Sequence, residues 1–491
     1  MVVAERTVIE FLSKGASYGE PRSVVVSIET HCSIAFLIRD RAYKLKRPIV
    51  FSALDYSTVE KRKAACEAEL ELNRRTAPEL YLGVHAICRR PDGELCFDGP
   101  GDIVDWVVAM RRFDQADLLE SVAESGLLDS GVIISLATEI ADFHQRIECV
   151  PGFGGALCLR TAVERNHRDL ETVETVLGAG RIRSLSEASR AALDRVSDVL
   201  DRRRDHGRVR WCHGDLRLAN ICLLDGRATL FDAIEFSQEI SCIDVLYDLA
   251  FLLSDLYQRR LELLANTLFN RYVDATGDED DLAVLPLMIS IRTATRAYSL
   301  AAGAQRKNHV ERARHFESAA RSHLALAASL LVPQSARLIA IGGLDGMAKT
   351  AFAYALAAAF TSAPGARVLR GDVVRRRMLN LKPDTRLPHG AYDASTTERV
   401  YAALIAEGEG LAAAGVTVAV VTDFYRPAHR AAVAAAASRA SVPFTGLWLG
   451  DDRDLRSERD SSLAEWQTIE THPPRDAWTV AQRIAREVLN R

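Results

Sequence analysis

The sequence predicts an α+β domain in two lobes, followed by an α/β domain that contains a parallel sheet. Three observations support this division of the 491 residues. β-Rich runs fill residues 1–108, helical patterns dominate residues 109–330, and short apolar strands alternate with helices in residues 337–491. A chain of this length exceeds one ordinary hydrophobic core, so more than one domain is expected.

The small lobe is predicted to be a β-sheet with one long helix. The helix is expected over about residues 57–75, and it ends at the turn formed by Ala77 and Pro78. Runs rich in β-branched and aromatic residues favour strands. In chain order these runs are SVVVSI, IAFLI, RAYKLKRP, YLGVHAICRR and DWVVAMRRF.

The large lobe is predicted to be helical over about residues 115–205 and 243–330. Pro333 and its neighbours break the helical pattern and mark the domain boundary. Beyond this boundary, buried strands are expected at RLIAIGG, RVLRGD and GVTVAVVTD. Strands that alternate with helices indicate a parallel sheet.

Composition argues against nucleic-acid and membrane partners. The net charge of −4 provides no global positive field for nucleic acid or an anionic membrane. The longest apolar runs, such as residues 351–360, are far shorter than the roughly 20 residues of a membrane span. We therefore expect a cytoplasmic protein, and nothing in the sequence indicates its oligomeric state.

The run WCHGDLRLAN, residues 211–220, contains side chains suited to phosphoryl transfer. This chemistry needs a carboxylate near the acceptor hydroxyl and oxygen ligands for Mg²⁺. Asp215 and Asn220 meet these needs from one loop, and Asp232 supplies a second carboxylate at the end of an apolar run. A turn or a helix cap would explain each residue alone, but the combination favours a catalytic site.

This His-Gly-Asp-x-x-x-x-Asn pattern resembles that of the aminoglycoside phosphotransferase and choline kinase superfamily, distant relatives of the protein kinases, over about residues 20–325. The resemblance implies a protein-kinase-like fold, ATP and Mg²⁺ as cofactors, and a small-molecule hydroxyl substrate. It implies that Asp215 is the catalytic base and that Asn220 and Asp232 are metal ligands. Arg217 replaces a histidine that many relatives carry, and we expect this change to affect loop packing or the acceptor pocket more than the chemistry.

The resemblance also indicates how the nucleotide would be held. Lys44 matches the phosphate-binding lysine, although Lys46 lies on the same strand face and remains a rival. The carboxylate partner of this lysine is expected in the helix of residues 57–75. Glu69 matches the family position best, with Glu67 and Glu71 as alternatives.

Three further predictions concern the surroundings of this site. The turn ETHCS is expected to cover the phosphates, with Thr30 and Ser33 as donors. The linker between the lobes is expected at residues 108–110, where the backbone of Met110 would bind adenine. Asp244 and Asp248 are interpreted as supports of the catalytic loop or as helix caps.

The run GGLDGMAKT, residues 342–350, closely resembles a phosphate-binding loop, G-x-x-x-x-G-K-[ST]. The backbone of such a loop holds the phosphates, the lysine reaches the outer ones, and the hydroxyl binds Mg²⁺. The sequence therefore predicts a second nucleotide site. Its residues are Gly343, Gly346, Lys349 and Thr350, and Ala348 stands where the pattern requires glycine.

This second half resembles the P-loop kinase module fused to such phosphotransferases in bacteria. The resemblance implies that Asp372 and Arg375 lie near an acceptor. Two departures add to Ala348: Val421 stands where a strand should end in a metal-binding carboxylate, and RSERDSS, residues 456–462, is all that represents the arginine-rich lid. Asp423 comes two residues too late. These departures predict a degenerate site with impaired or absent activity.

Two other functions are alternatives to a small-molecule kinase. One is an ATP-binding sensor or regulatory protein in which one or both nucleotide sites lack turnover. The other is a protein kinase, and the sequence opposes it because CIDVLYDLAFLL follows Asp232 too soon for an activation segment.

Overall fold

The computed structural model describes residues 3–30, 32–51, 54–279, 281–305, 310–343, 346–360, 363–383, 385–450, 466–469 and 477–489. Its helices are α1 (Val3–Leu12), α2 (Val59–Asn73), α3 (Leu119–Glu124), α4 (Ser130–Arg146), α5 (Gly155–Glu171), α6 (Glu174–Leu177), α7 (Ala179–Asp205), α8 (Gln238–Ser241), α9 (Val245–Gln258), α10 (Glu262–Thr276), α11 (Leu285–Gln305), α12 (Val310–Ser329), α13 (Gly346–Ala359), α14 (Gly371–Met378), α15 (Ala394–Ala413), α16 (Pro427–Arg439) and α17 (Ala477–Leu489). Among the described residues, no helix has the length and apolar character needed to cross a membrane.

The strands are β1 (Val26–Glu29), β2 (Ser33–Ile38), β3 (Arg41–Lys46), β4 (Val50–Phe51), β5 (Leu54–Asp55), β6 (Tyr81–Arg89), β7 (Leu95–Phe97), β8 (Asp102–Arg111), β9 (Val209–Trp211), β10 (Ile221–Leu224), β11 (Arg227–Leu230), β12 (Cys242–Asp244), β13 (Leu338–Gly343), β14 (Arg367–Arg370), β15 (Val418–Val421), β16 (Phe444–Leu449) and β17 (Trp466–Ile469).

The chain folds into two compact units, each assembled from separate stretches of sequence. The first contains Met1–Leu128, Arg146–Phe153 and Gly207–Asp248, and the second contains Asp129–Gln145, Gly154–His206 and Leu249–Arg491. The β-rich region and the segment that carries the His-Gly-Asp motif therefore belong to one compact unit.

The first unit is built on an antiparallel sheet in the order β1-β2-β3-β8-β6-β7. The expected helix is α2, which begins after Thr58; the Thr58 side chain accepts the N–H of Lys61 and caps it. The predicted strands and helix of this region are confirmed. α1 and β7 were not predicted.

Residues 108–110 do not form a linker. They lie inside β8, and Met110 pairs with Ala42 on one side and Tyr81 on the other. An inner strand uses its backbone groups in ladders with both neighbours, so the predicted linker is placed wrongly. The contact of Met110 with adenine stays a prediction.

The second unit combines helices with a parallel sheet in the order β14-β15-β13-β16-β17. Central strands of such a sheet are apolar because both faces are covered, and every residue of β13 and β15 is buried. The predicted α/β fold is confirmed here. β16 and β17 were not predicted.

Helix α10 covers the edge strand β14 of this parallel sheet. The Asn270 Oδ1 atom accepts the Val368 N–H at 2.7 Å, and Asn270 Nδ2 donates to the Ala366 carbonyl at 3.2 Å. Asn266 Nδ2 donates to the same carbonyl at 3.0 Å. Polar side chains of a helix thus occupy backbone groups that an uncovered edge would expose.

An ion cluster adjoins these amide contacts. Arg367, which is 1% exposed, donates to Asp274 at 2.7 Å and to Glu279 at 2.9 Å. Burial lowers the pKa of Arg367, but Glu279 and Asp274 raise it more, so its pKa lies above the ordinary value. The guanidinium therefore stays charged inside the second unit.

Candidate active site

Two lysines of β3 share one glutamate of α2. Lys44 and Lys46 are two residues apart on a strand, which places both side chains on one face. Lys44 Nζ lies 2.8 Å from Glu69 Oε1, and Lys46 Nζ lies 2.7 Å from Glu69 Oε2. Burial raises the pKa of Glu69, but the two lysines outweigh burial and bring it to about 2. Glu69 is therefore an ionised, fully buried bridge.

The alternative glutamates of α2 do not make these contacts. Glu67 pairs with Lys63 in an exposed i, i+4 arrangement, and Glu71 is exposed. Of the three candidates, the structure places Glu69 against the lysines.

The two lysines differ in their second partner and in their exposure. Lys44 donates to Asp232, and its side chain is 16% exposed. Lys46 donates to Glu235, and its side chain is 2% exposed. Asp232 and Nζ of Lys44 thus form the more accessible of the two pairs, since the Asp232 side chain is 41% exposed.

Asp232 stands in a backbone segment held from several directions. Its φ of +63° lies in the left-handed region, which costs a non-glycine residue roughly 1–2 kcal/mol. Three successive N–H groups of this segment have partners from different elements. They are Asp232 N to Tyr81 Oη at 3.1 Å, Ala233 N to Asn73 Oδ1 at 2.8 Å, and Ile234 N to the His213 carbonyl at 2.9 Å.

His213 is a buried structural residue of the loop that contains Asp215. Its Nε2 donates to the Phe231 carbonyl at 2.9 Å, and burial lowers its pKa. The buried Asp248 carboxylate accepts the N–H groups of His213 and Gly214 at 3.1 and 2.9 Å. The interpretation of Asp248 as a support of this loop is confirmed. Asp244 accepts the N–H of Leu246 at 2.8 Å, as a helix cap would.

Asp215 forms a two-pronged ion pair with Arg217. Arg217 Nε and Nη2 lie 2.9 and 3.0 Å from the two carboxylate oxygens. Burial raises the pKa of Asp215, but the charge and hydrogen bonds of Arg217 lower it to about 2. The expectation that Arg217 chiefly affects packing or the acceptor pocket is thus incomplete, because Arg217 directly binds the predicted base.

Asn220 belongs to the same hydrogen-bonded group. Its Nδ2 donates to the carbonyl and to Oδ2 of Asp215, both at 2.8 Å. Its own carbonyl accepts the N–H of Phe231 at 3.0 Å, next to Asp232. Because Nδ2 is used by Asp215, Oδ1 is the amide atom available to a cation. Amide and carboxylate oxygens are ligands that Mg²⁺ prefers, so Asn220 and Asp232 fit the predicted metal role.

The turn expected to cover the phosphates is closed by its own side chains. Thr30 Oγ1 accepts the Ser33 N–H at 3.0 Å and lies 2.9 Å from Ser33 Oγ. These bonds order the turn between β1 and β2, and the role of both hydroxyls toward phosphate stays a prediction.

Sequence reasoning missed Glu235 and Tyr56. The Tyr56 hydroxyl donates to Glu235 Oε1 at 2.5 Å and lies 3.4 Å from Lys46 Nζ. The one available signal was the acid three residues after Asp232 in FDAIEF. No local pattern connects Tyr56 to it.

The second predicted site lies in the second unit, around the end of β13. Gly343 has φ +129°, and a Cβ there would lie 2.1 Å from the Leu449 carbonyl oxygen, so only glycine fits. Lys349 is buried and donates to the Gly343 carbonyl. Gly346 begins α13, which also contains Ala348 and Thr350.

The strand beside this loop ends without a carboxylate at Val421, which is buried and paired with Ile341. Asp423 follows, and its carboxylate accepts the hydroxyl of Tyr401. Its backbone carbonyl accepts the Gly343 N–H at 3.2 Å. The backbone N–H of Gly343, the first glycine of the loop, thus has a hydrogen-bond partner within the protein.

Two further predicted residues of this half have partners within the protein, and their nearness to an acceptor stays a prediction. Arg375 is buried and donates to the Ala391 carbonyl at 2.6 Å, while Asp372 pairs with Arg376 at 2.5 Å. The predicted lid, residues 456–462, lies outside the described residues.

Comparison with known proteins identifies two family regions in this chain. Residues 60–285 match the family described as "Phosphotransferase enzyme family", and residues 338–485 match the family described as "AAA domain". The first match includes Glu69, Asp215 and Asp232. The chain therefore contains a region that matches a phosphotransferase family, followed by a region that matches an AAA domain.

Two mycobacterial proteins are similar over most of this chain. Uncharacterized proteins of Mycobacterium tuberculosis and Mycobacterium bovis are 29% identical over 422 residues, which cover 82% of this chain and 79% of each relative. Solved structures with local likeness include an ethanolamine kinase of Plasmodium vivax, with 13% identity, TM-score 0.38, and coverage of 62% of this chain and 82% of that one. A choline kinase of Cryptosporidium parvum has 10% identity, TM-score 0.39, and coverage of 66% and 95%.

Proposed function

We propose that the protein is an ATP- and Mg²⁺-dependent phosphotransferase that moves a phosphoryl group to a hydroxyl of a small polar molecule. One observation carries this proposal: Lys44, Glu69 and Asp232 form a continuous chain of ion pairs. Phosphoryl transfer needs a fixed cation for the phosphates and a carboxylate for the metal, and this chain supplies both.

Lys44 is proposed as the phosphate-binding cation in preference to Lys46. Its side chain is the more exposed of the two, and it contacts the carboxylate proposed to bind the metal. Glu69 would hold Lys44 in place through its own ion pair. Met110 would contribute the adenine contact from β8.

Asp215 is proposed to orient the acceptor hydroxyl. A carboxylate with a pKa of about 2 stays ionised at neutral pH, so it accepts a hydrogen bond from the hydroxyl throughout. Such a weak base takes the proton late, when the developing bond to phosphorus has made the hydroxyl acidic.

Asn220 and Asp232 would hold the magnesium ion through their side-chain oxygens. When bound, the ion would neutralise charge on the phosphate oxygens. Asp232 would give up its ion pair with Lys44 when it binds the cation.

We propose residues 1–330 as the phosphotransferase domain, with a small β-rich lobe that ends with β8 and a helical lobe from there to about residue 330. Residues 337–491 are proposed as a degenerate P-loop domain. Two contacts support the degeneracy: Lys349 is bonded to its own loop, and Asp423 is bonded to Tyr401. A lack of turnover in this half alone also fits the alternative function, an ATP-binding sensor or regulatory protein.

The decisive experiment compares Asp215→Asn with Lys349→Ala in the full-length chain. Mg²⁺-dependent ATP turnover would be measured with pooled amino sugars, sugars and amino alcohols as acceptors. We expect Asp215→Asn to lose about a hundredfold to ten-thousandfold in turnover and to keep its affinity for ATP, because the carboxylate acts on the acceptor. Lys349→Ala should keep its turnover.

Retained turnover in Asp215→Asn would refute the assignment of the first site. Loss confined to Lys349→Ala would instead make the second site the catalytic one. Asp205→Asn, an exposed acid at the end of α7, is the control for a surface change of the same chemistry.

A further inference from the structure

Two ion pairs join β3 to the segment after β11, and the proposed chemistry uses only one of them. Lys44 pairs with Asp232, whose side chain is 41% exposed, whereas Lys46 pairs with Glu235, whose side chain is 7% exposed. Both lysines also bind Glu69. The Lys46–Glu235 pair is thus shielded from solvent, whereas the neighbouring Lys44–Asp232 pair is accessible.

The enclosed pair has a third member. The Tyr56 hydroxyl donates to Glu235 at 2.5 Å, and Lys46 Nζ lies 4.9 Å from the centre of the Tyr56 ring. A buried charge persists when it is paired and hydrogen-bonded. Lys46, Glu235 and Tyr56, which we call the Glu235 cluster, are paired with one another, and Lys46 is also paired with Glu69.

We propose that the Glu235 cluster holds the Asp232 segment against β3 while Lys44 and Asp232 engage nucleotide and metal. The inference rests on the proposed function of this site. When Asp232 turns to a cation and Lys44 to a phosphate, the Lys44–Asp232 pair is lost. The Lys46–Glu235 pair then remains as the link between β3 and the segment.

Charge sharing gives the cluster a second effect on Lys44. Each oxygen of Glu69 faces one lysine. Glu235 provides Lys46 with a second carboxylate partner. Glu69 can therefore remain paired with both lysines. Without Glu235, Lys46 would compete with Lys44 for Glu69. The members of the cluster act through Lys44 and Asp232 and are positioning residues.

The test is calorimetric titration of the full-length chain with ATP, with and without Mg²⁺. The Lys349→Ala background removes the lysine of the second site. In Glu235→Gln we expect Mg²⁺·ATP affinity to fall about tenfold, within the usual range for coupling between a remote group and a ligand. Affinity for ATP without Mg²⁺ should change less, because the metal ligand Asp232 is the group displaced.

Glu239→Gln is the matched control, since Glu239 lies four residues further on and is exposed. It should bind Mg²⁺·ATP as the parent does. Tyr56→Phe removes one hydroxyl and keeps the ring, so it should fold and shift affinity in the same direction by a smaller factor. Lys46→Met combined with Glu235→Gln should lose no more affinity than the worse single variant.

Glu235→Gln with unchanged Mg²⁺·ATP affinity would overturn the inference and leave the proposed function standing. An equal loss with and without Mg²⁺ would also overturn it, since the loss would then not depend on Asp232 binding the metal. A parent chain that binds no Mg²⁺·ATP would overturn the proposed function and the inference together.

Discussion

At the residue scale, the pairing of Asp215 with Arg217 sets the electrostatic character of the proposed acceptor site. The guanidinium occupies both oxygens of the carboxylate, so the pair presents little net charge. A cationic acceptor therefore gains less attraction here than it would from an unpaired carboxylate. In the sequence, Arg217 is unusual only because many relatives carry a histidine there. Its contact with Asp215 could not be predicted, because it depends on the conformation of the loop.

The pH dependence of turnover tests this pairing. Because the pKa of Asp215 is depressed to about 2, its ionised form should persist as the pH falls, until the pH nears that value. The parent should thus show no acidic limb from this group between pH 5 and 8. In Arg217→Ala, the arginine no longer lowers the pKa of Asp215, and burial raises it. Asp215 would then become protonated at a higher pH, so turnover should fall toward pH 5.

The measurement is kcat against pH for both proteins, with Arg227→Ala, an exposed residue of β11, as the control. A flat profile for Arg217→Ala at full turnover would show that the arginine does not govern the ionisation of Asp215.

At the scale of elements, α2 and β3 are joined by charges and not only by apolar packing. The amphipathic pattern of α2 is weak because its inward face carries Arg62, Glu69 and Asn73 as well as apolar residues. Arg62 binds the buried Asp105 of β8 at 2.7 Å. These polar contacts fix the position of the helix, since each buried charge requires its partner.

Glu69→Gln should loosen this junction. It leaves two buried lysines with one carboxylate partner each, and breaking such buried pairs costs roughly 3–5 kcal/mol. We expect faster hydrogen exchange of the amides in α2 and β3, together with earlier thermal unfolding of this region. Glu67→Gln, in an exposed pair with Lys63, should leave both measurements nearly unchanged. Equal protection in Glu69→Gln and the parent would contradict the idea that charges hold this junction.

Local patterns predicted the elements around the candidate active site well. Strand β3, helix α2 and the loop of Asp215 are each specified by neighbouring residues, so periodicity and motif spacing were sufficient. The Lys46–Glu235 pair joins residues 189 positions apart, and no local pattern encodes that distance. The choice between Lys44 and Lys46 likewise depended on burial, which two residues on the same strand face do not reveal.

At the scale of the whole molecule, the boundary between the matched family regions is crossed by buried contacts of the second unit. Arg367 of the AAA region binds Asp274 and Glu279, which belong to the phosphotransferase-family region. The sequence suggested a boundary near Pro333 because the helix pattern breaks there. The sequence did not indicate this cluster, because Arg367 lies about 90 residues along the chain from both of its carboxylate partners.

Arg367→Ala should destabilise this part of the chain by up to roughly 3–5 kcal/mol. It removes the buried partner of Asp274 and Glu279 and leaves them only the longer contacts with Arg370 and Arg377. Limited proteolysis and hydrogen exchange would show the loss as earlier opening of α10 and β14. Arg439→Ala, which removes an exposed pair with Glu409, should behave like the parent. Unchanged protection of α10 in Arg367→Ala would mean that the amide contacts alone hold the helix.

The docking of α10 on β14 bears on how such a fusion is inherited. The side chains of Asn266, Asn270 and Asp274 have their partners in the other family region. A gene truncated after residue 330 would encode α10 without α13 and β14, its packing partners, and its product should be less stable. Selection for the folding of the first half would then preserve the second half even after its own nucleotide site had decayed.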